Sequence, residues 1–183
     1  AEGSLWISCA GGLSGISHIP VQRVEGEGEK VQVKVCGLMG GHSGAEIDKN
    51  RANANKLMGR FLYGLKKKAE YALISLTGGQ KDNAITRECT AEFLTDSVAE
   101  VKAYAKELQE QLREEYTGSD ENITFEITEK GTATAEVLHP TSQEKIVFYL
   151  QNVPFGIQKM SGTIKGLVET SSNIGILRLD RDE

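Results

Sequence analysis

The sequence predicts an α+β domain built on one antiparallel sheet, and three observations carry that expectation. Val31, Val33 and Val35 alternate with Lys30, Gln32 and Lys34, the period-two pattern of a half-buried strand. Ala54, Leu57, Met58, Phe61, Leu62 and Leu65 recur at helical spacing, as do Val98, Val101, Tyr104, Ala105, Leu108 and Leu112. Between and after these stretches lie further apolar runs, so that residues 31–128 read in the order β-α-β-β-α-β. This is the ferredoxin-like arrangement: a four-stranded antiparallel sheet with two helices on one face. The opposite face must then be solvated or must pack on something else. A C-terminal helix and strand elaborate the core.

The elements follow in order. Leu5–Ala10 is a short apolar run, ended by Gly11-Gly12, and Ser14–His18 reads as loop. Val21–Glu25 is expected as a second short strand, closed by Gly26-Glu27-Gly28. After the strand at Val31–Val35 comes the turn Gly37-Leu38-Met39-Gly40-Gly41-His42-Ser43-Gly44, and an amphipathic segment from Asp48 to Leu65. Gly59 and Gly64 weaken that helix by about 1 kcal/mol each relative to alanine. Tyr71–Thr77 and Ala84–Leu94 are the next strands, and Ser97 with Glu100 could form a capping box for the second helix. Ile123, Phe125 and Ile127 alternate as a fourth strand. Thr141 and Glu144 form a capping box for a third helix striped by Ile146, Val147 and Leu150; Gly156–Gly166 reads as loop and Val168–Leu179 as a final strand. The expected division is a strand and linker at residues 1–28, then a domain at 29–183 with its core at 29–128 and its elaboration at 129–183.

With 183 residues the chain is one domain, or one domain with an elaboration. A net charge of −5 argues against a nucleic-acid partner. The one basic run, Lys66-Lys67-Lys68, falls at a helix C-terminus, where cations favour the dipole. Cys9, Cys36 and Cys89 are scattered and form no CxxC pair, so a zinc knuckle is not expected. With no signal peptide, a reducing cytoplasm is the simplest home. No stretch approaches a membrane span.

Two residues stand out as candidates. His42 lies in the glycine turn, where a helix is expected to begin, so its imidazole would sit beside unpaired backbone N–H groups at a positive helix end. Such a place suits an anionic oxygen, in a ground state or a transition state; the alternative is a local hydrogen-bonding role. Ser43 is expected to cap the following turn. Asn83, just past Gly78-Gly79, reads either as a hairpin-turn residue or as a primary amide aimed at a substrate carbonyl or carboxylate. His18 and His139 have no partners at metal spacing and read as structural. The charged run Asp180–Glu183 reads as solvated.

Gly37–Ile47 followed by Ala52–Leu57 resembles the lid domain of the Xaa-His (aminoacylhistidine) dipeptidase type, within the dizinc aminoacylase and carnosinase superfamily. Further matches, in the same order, are Glu2-Gly3 through Cys9-Ala10-Gly11-Gly12, Lys81–Glu88, and Gly166–Asn173. The resemblance implies a two-domain cytosolic enzyme that hydrolyses Xaa-His dipeptides, with two zinc ions and a glutamate base in a catalytic domain into which the lid is inserted. The family's metal-ligand motifs are not in this sequence, so no metal ligand or cofactor is assigned to this chain. The resemblance assigns His42 to the lid histidine that steadies the tetrahedral oxyanion, and Asn83 to the lid asparagine that contacts substrate. Thr86 departs from the proline common in the family after Asn-Ala-Ile. Implied partners are the catalytic domain, a dipeptide and a second copy bound through the lid. By itself the chain is expected to be inactive. The alternative is a ferredoxin-like module that senses a small molecule or dimerises, with no catalytic role.

Overall fold

The computed structural model of the chain describes Gly3, residues 11–179 and residues 181–183. The strand expected at Leu5–Ala10, with Cys9, lies outside the described residues. In order the elements are β1 (Arg23–Cys36), β2 (Gly41–His42), a 3-10 turn (Ile47–Lys49), α1 (Ala54–Leu65), β3 (Ala72–Gly78), β4 (Ala84–Ile85) and β5 (Cys89–Thr95). There follow α2 (Val98–Glu115), β6 (Thr124–Leu138), α3 (Pro140–Asn152), β7 (Gly156–Met160), β8 (Val168–Ser172) and β9 (Leu177–Arg178).

The main sheet has the order β6-β1-β5-β3-β9, and its pairings are antiparallel. Its four long strands therefore stand fourth, first, third, second, which is the ferredoxin-like order. Val31, Val33 and Val35 are fully buried beneath α1 and α2, together with Leu73, Ala91 and Phe93. Phe61 of α1 lies between Tyr104 and Phe125, at ring-centroid distances of 5.6 and 5.3 Å. Burying each such large side chain stabilises the fold by about 1.5–3 kcal/mol. The two helix glycines have a packing reason. A Cβ on Gly59 would stand 2.7 Å from Leu150 of α3, and one on Gly64 would stand 1.8 Å from the Tyr104 hydroxyl of α2. Their cost in helix propensity is thus exchanged for close helix contact.

The opposite face of the sheet carries Lys30, Lys34, Glu88, Glu92 and Lys130, joined in ion pairs. The basic run at the end of α1 is also engaged: Lys66 pairs with Glu144, Lys68 with Glu107, and Lys67 lies over the Tyr63 ring.

Several boundaries differ from those the sequence predicts. β1 is a single strand, and Gly26 and Gly28 lie inside its ladder, opposite Ala135 and Ala133 of β6. The pairing of β1 with β6 therefore runs straight through residues 28 and 128. Ala84–Leu94 is two strands, not one. β7 and β8 form a separate hairpin where a loop and a long strand are predicted. Helix α1 starts at Ala54, and the predicted residues before it form only the short 3-10 turn. Neither capping box forms. Ser97 makes no side-chain cap bond, and the cap of α3 is His139, whose Nδ1 accepts from the Thr141 amide.

Candidate functional site

The two candidate residues arrive on neighbouring turns because β2 and β4 pair. Gly41 faces Ile85 and His42 faces Ala84 in this short antiparallel ladder, and the Ser43 amide donates to the Asn83 carbonyl at 3.0 Å. His42 and Asn83 are both exposed. No α-helix begins at His42, contrary to the sequence expectation; α1 starts at Ala54. The backbone donors beside the imidazole belong instead to the turn itself. The Gly44 and Ala45 amides donate to His42 Nδ1, at 3.0 and 3.1 Å. Accepting these two bonds, Nδ1 carries no hydrogen, so the ring hydrogen sits on Nε2. His42 is therefore both a local capping group, through Nδ1, and a free hydrogen-bond donor, through Nε2. The cap of this turn is the imidazole; among the described residues the Ser43 hydroxyl makes no hydrogen bond.

A second set of contacts fixes the backbone of the turn. The His42 amide donates to Glu46 Oε2 at 2.9 Å, and the Glu46 amide returns a bond to the His42 carbonyl at 3.0 Å. Arg51 pairs with Glu46 at 2.9 Å and donates to the Gly40 carbonyl at 2.5 Å. The His42 amide, and then Arg51, hold the Glu46 carboxyl below its ordinary pKa. Gly40 has φ +64°, and a Cβ there would stand 2.3 Å from Arg87 Cγ. The glycines therefore allow close packing by this chain's own arginines and give a held turn. Behind it, the buried Asp120 carboxylate accepts from the Met39 and Ala52 amides at 2.6 and 2.7 Å.

The Asn83 turn rests on a network that the sequence reading did not assign. Asn53 caps α1 by accepting from the Asn55 and Lys56 amides, and its Nδ2 donates to Asn173 Oδ1 at 3.1 Å and to the Ile174 carbonyl at 3.0 Å. Asn173 Nδ2 donates to the Asp82 and Ala84 carbonyls, on either side of Asn83, at 3.2 and 2.8 Å. Asn55 Nδ2 reaches Thr86 Oγ1 and the Ile174 carbonyl, and the Thr86 hydroxyl faces the Ile174 and Gly175 carbonyls at 2.9 Å each. Asn53, Asn55 and Thr86 are buried. A hydroxyl at position 86 thus makes contacts that proline could not. The Asn83 side chain has no hydrogen-bond partner among the described residues. The sequence signal for part of this was present: asparagine just before an apolar helical repeat is an N-cap signature.

The remaining histidines are apart from this edge. His18 Nδ1 lies 2.6 Å from Glu183, and His139 caps α3. Among the described residues no group of three or more His, Cys, Asp or Glu side chains is arranged to hold a metal ion. Among the described residues, likewise, no helix is long and apolar enough to cross a membrane. A surface depression of about 540 Å³ between α1 and residues 151–158 includes neither candidate.

A peptidase dimerisation domain is the family whose description matches this chain, over residues 33–120. Over 182 residues, 97% of its length, the chain is 33% identical to the cytosol non-specific dipeptidase of Escherichia coli (strain K12), of which it spans 37%. The crystal structure of aminoacylhistidine dipeptidase from Vibrio alginolyticus matches 89% of this chain with a TM-score of 0.83 and 29% identity, over 34% of that protein. The chain thus spans little more than a third of the length of these relatives.

Proposed function

We propose that this chain is the lid of a cytoplasmic, zinc-dependent dipeptidase acting on Xaa-His type dipeptides, and that it supplies His42 and Asn83 to a catalytic domain lying outside these residues. The carrying observation is the His42 ring: Nδ1 is occupied by the Gly44 and Ala45 amides, and Nε2–H is left free at an exposed edge. The names of the relatives, a dipeptidase in both cases, support the reaction class. The paths of the two flanks support insertion into another domain. The Val21 amide donates to the Asp182 carbonyl at 3.0 Å, so entry and exit run side by side. On this reading residues 1–28 lead in from the catalytic domain.

The zinc ions would be held by that other domain, where zinc polarises a carbonyl and activates water. The part played by this chain is narrower. When the lid closes, His42 Nε2–H donates to the substrate carbonyl oxygen as negative charge develops on it. Because Nδ1 is already bonded, the donor needs no reorientation at the moment of reaction, which is what makes such a group effective. Asn83 offers a donor and an acceptor to the bound dipeptide. Closure also excludes water.

The test is His42→Ala in the complete protein. Removing one donor of this kind costs roughly 10²–10³ in kcat, and KM should change little. Normal turnover would overturn the assignment. The isolated chain should cleave no dipeptide and bind no zinc tightly by calorimetry. The same reading includes a homodimer formed through this domain, which sedimentation would refute by finding only monomer.

A further inference from the structure

We propose that Asn173 is a positioning residue that sets the placement of both candidate side chains from a distant part of the chain. It rests on the reading of His42 and Asn83 given above, and it adds a residue to which that reading gave no role. The geometry is specific. Asn173 spends both Nδ2 hydrogens on the carbonyls of Asp82 and Ala84, the two residues that bracket Asn83. Its Oδ1 accepts from Asn53 Nδ2. Asn53 in turn spends its second hydrogen on the Ile174 carbonyl and its oxygen on the Asn55 and Lys56 amides of α1. The amide of Asn173 is thereby fixed in one orientation, because turning it over would set its oxygen against two carbonyls and its NH₂ against another.

The clasp reaches His42 as well. The Asn83 carbonyl accepts from the Ser43 amide, and Ser43 follows His42 in the turn. A hold on the Asp82–Ala84 backbone is therefore a hold on the spacing between the imidazole and the Asn83 amide. Gly175 closes the clasp from the same side: a Cβ there would stand 2.5 Å from Asp82 Cα. The connection between β8 and β9 thus acts as a buckle under the presenting edge. A one-residue change in that connection should reach the site without touching substrate.

Amide hydrogen exchange in this chain, followed by NMR, tests the proposal. In the unmodified chain the Ser43 amide should be protected well beyond an unstructured amide. In Asn173→Ala it should exchange roughly tenfold to a hundredfold faster, the expected effect of losing the two bonds to the turn. The amides of Val33 and Ala91, in the β1–β5 ladder, should keep their rates. Asn173→Asp should behave like the alanine variant, since it keeps the acceptor for Asn53 and loses both donors. The proposal is overturned if Ser43 is unprotected in the unmodified chain, a result that needs no variant to fold. It is also overturned if Ser43 keeps its rate in either variant, or if the ladder amides accelerate to the same degree. None of these outcomes depends on turnover, so a failure of the dipeptidase reading would be recorded separately, by His42→Ala.

Discussion

Glu46 shows how a single carboxylate can hold a turn through its backbone. It is half-buried: it accepts the His42 amide and pairs with Arg51, which itself holds the Gly40 carbonyl. Its pKa is lowered, first by the His42 amide and then by Arg51. A carboxyl whose pKa is lower folded than unfolded supports the fold above its unfolded value and withdraws that support as pH falls through the folded value. With an ordinary value of 4.5, the turn should be fully held at neutral pH and released only in acid. Followed by NMR, the His42 amide shift should titrate with a midpoint below that ordinary value. A midpoint at or above it would mean that Glu46 does not hold the turn. Thr86 makes the complementary point. Its hydroxyl is buried among the Asn55 amide and two carbonyls, a role invisible to any local pattern because its partners come from residues 55 and 174–175.

At the scale of elements, what was legible is what local periodicity controls. The valines of β1, the apolar stripes of α1 and α2, and the alternation at the start of β6 each impose their period on the chain, and the sheet order follows from them. A break read from glycine fails at the start of β1. Gly26 and Gly28 look like a strand end, but long-range pairing with β6 carries the strand through them. The β7–β8 hairpin escaped because its strands are short and largely exposed, so burial leaves little pattern in them. His42 was legible as a residue but not in its setting. The expected helix end is replaced by a self-capped turn, because Nδ1 competes for the local amides. The glycine of that turn is a requirement, not a freedom. Gly40→Ala would place a Cβ in a left-handed backbone, 2.3 Å from Arg87 Cγ and 3.0 Å from the Ile85 carbonyl. It should destabilise the chain by about 1–3 kcal/mol, measured by urea unfolding; a change within about 0.5 kcal/mol would show that the turn relaxes freely.

Taken whole, the molecule is a rigid stand for one edge. The sheet and its helices fix β1, β3 and β5; the buried asparagine network ties α1 to the 173–175 segment and to the Asn83 turn; and the β2–β4 ladder sets His42 beside it. The fold thus presents an exposed ring N–H at this edge, and the proposed chemistry depends on that hydrogen being on Nε2. Long-range ¹⁵N NMR of the imidazoles in this chain, at neutral pH, measures its position directly. The account predicts that His42 shows a bare Nδ1 and a hydrogen-bearing Nε2, with no averaging between the two. A hydrogen on Nδ1, or a ring that averages like that of an unstructured histidine, would contradict it.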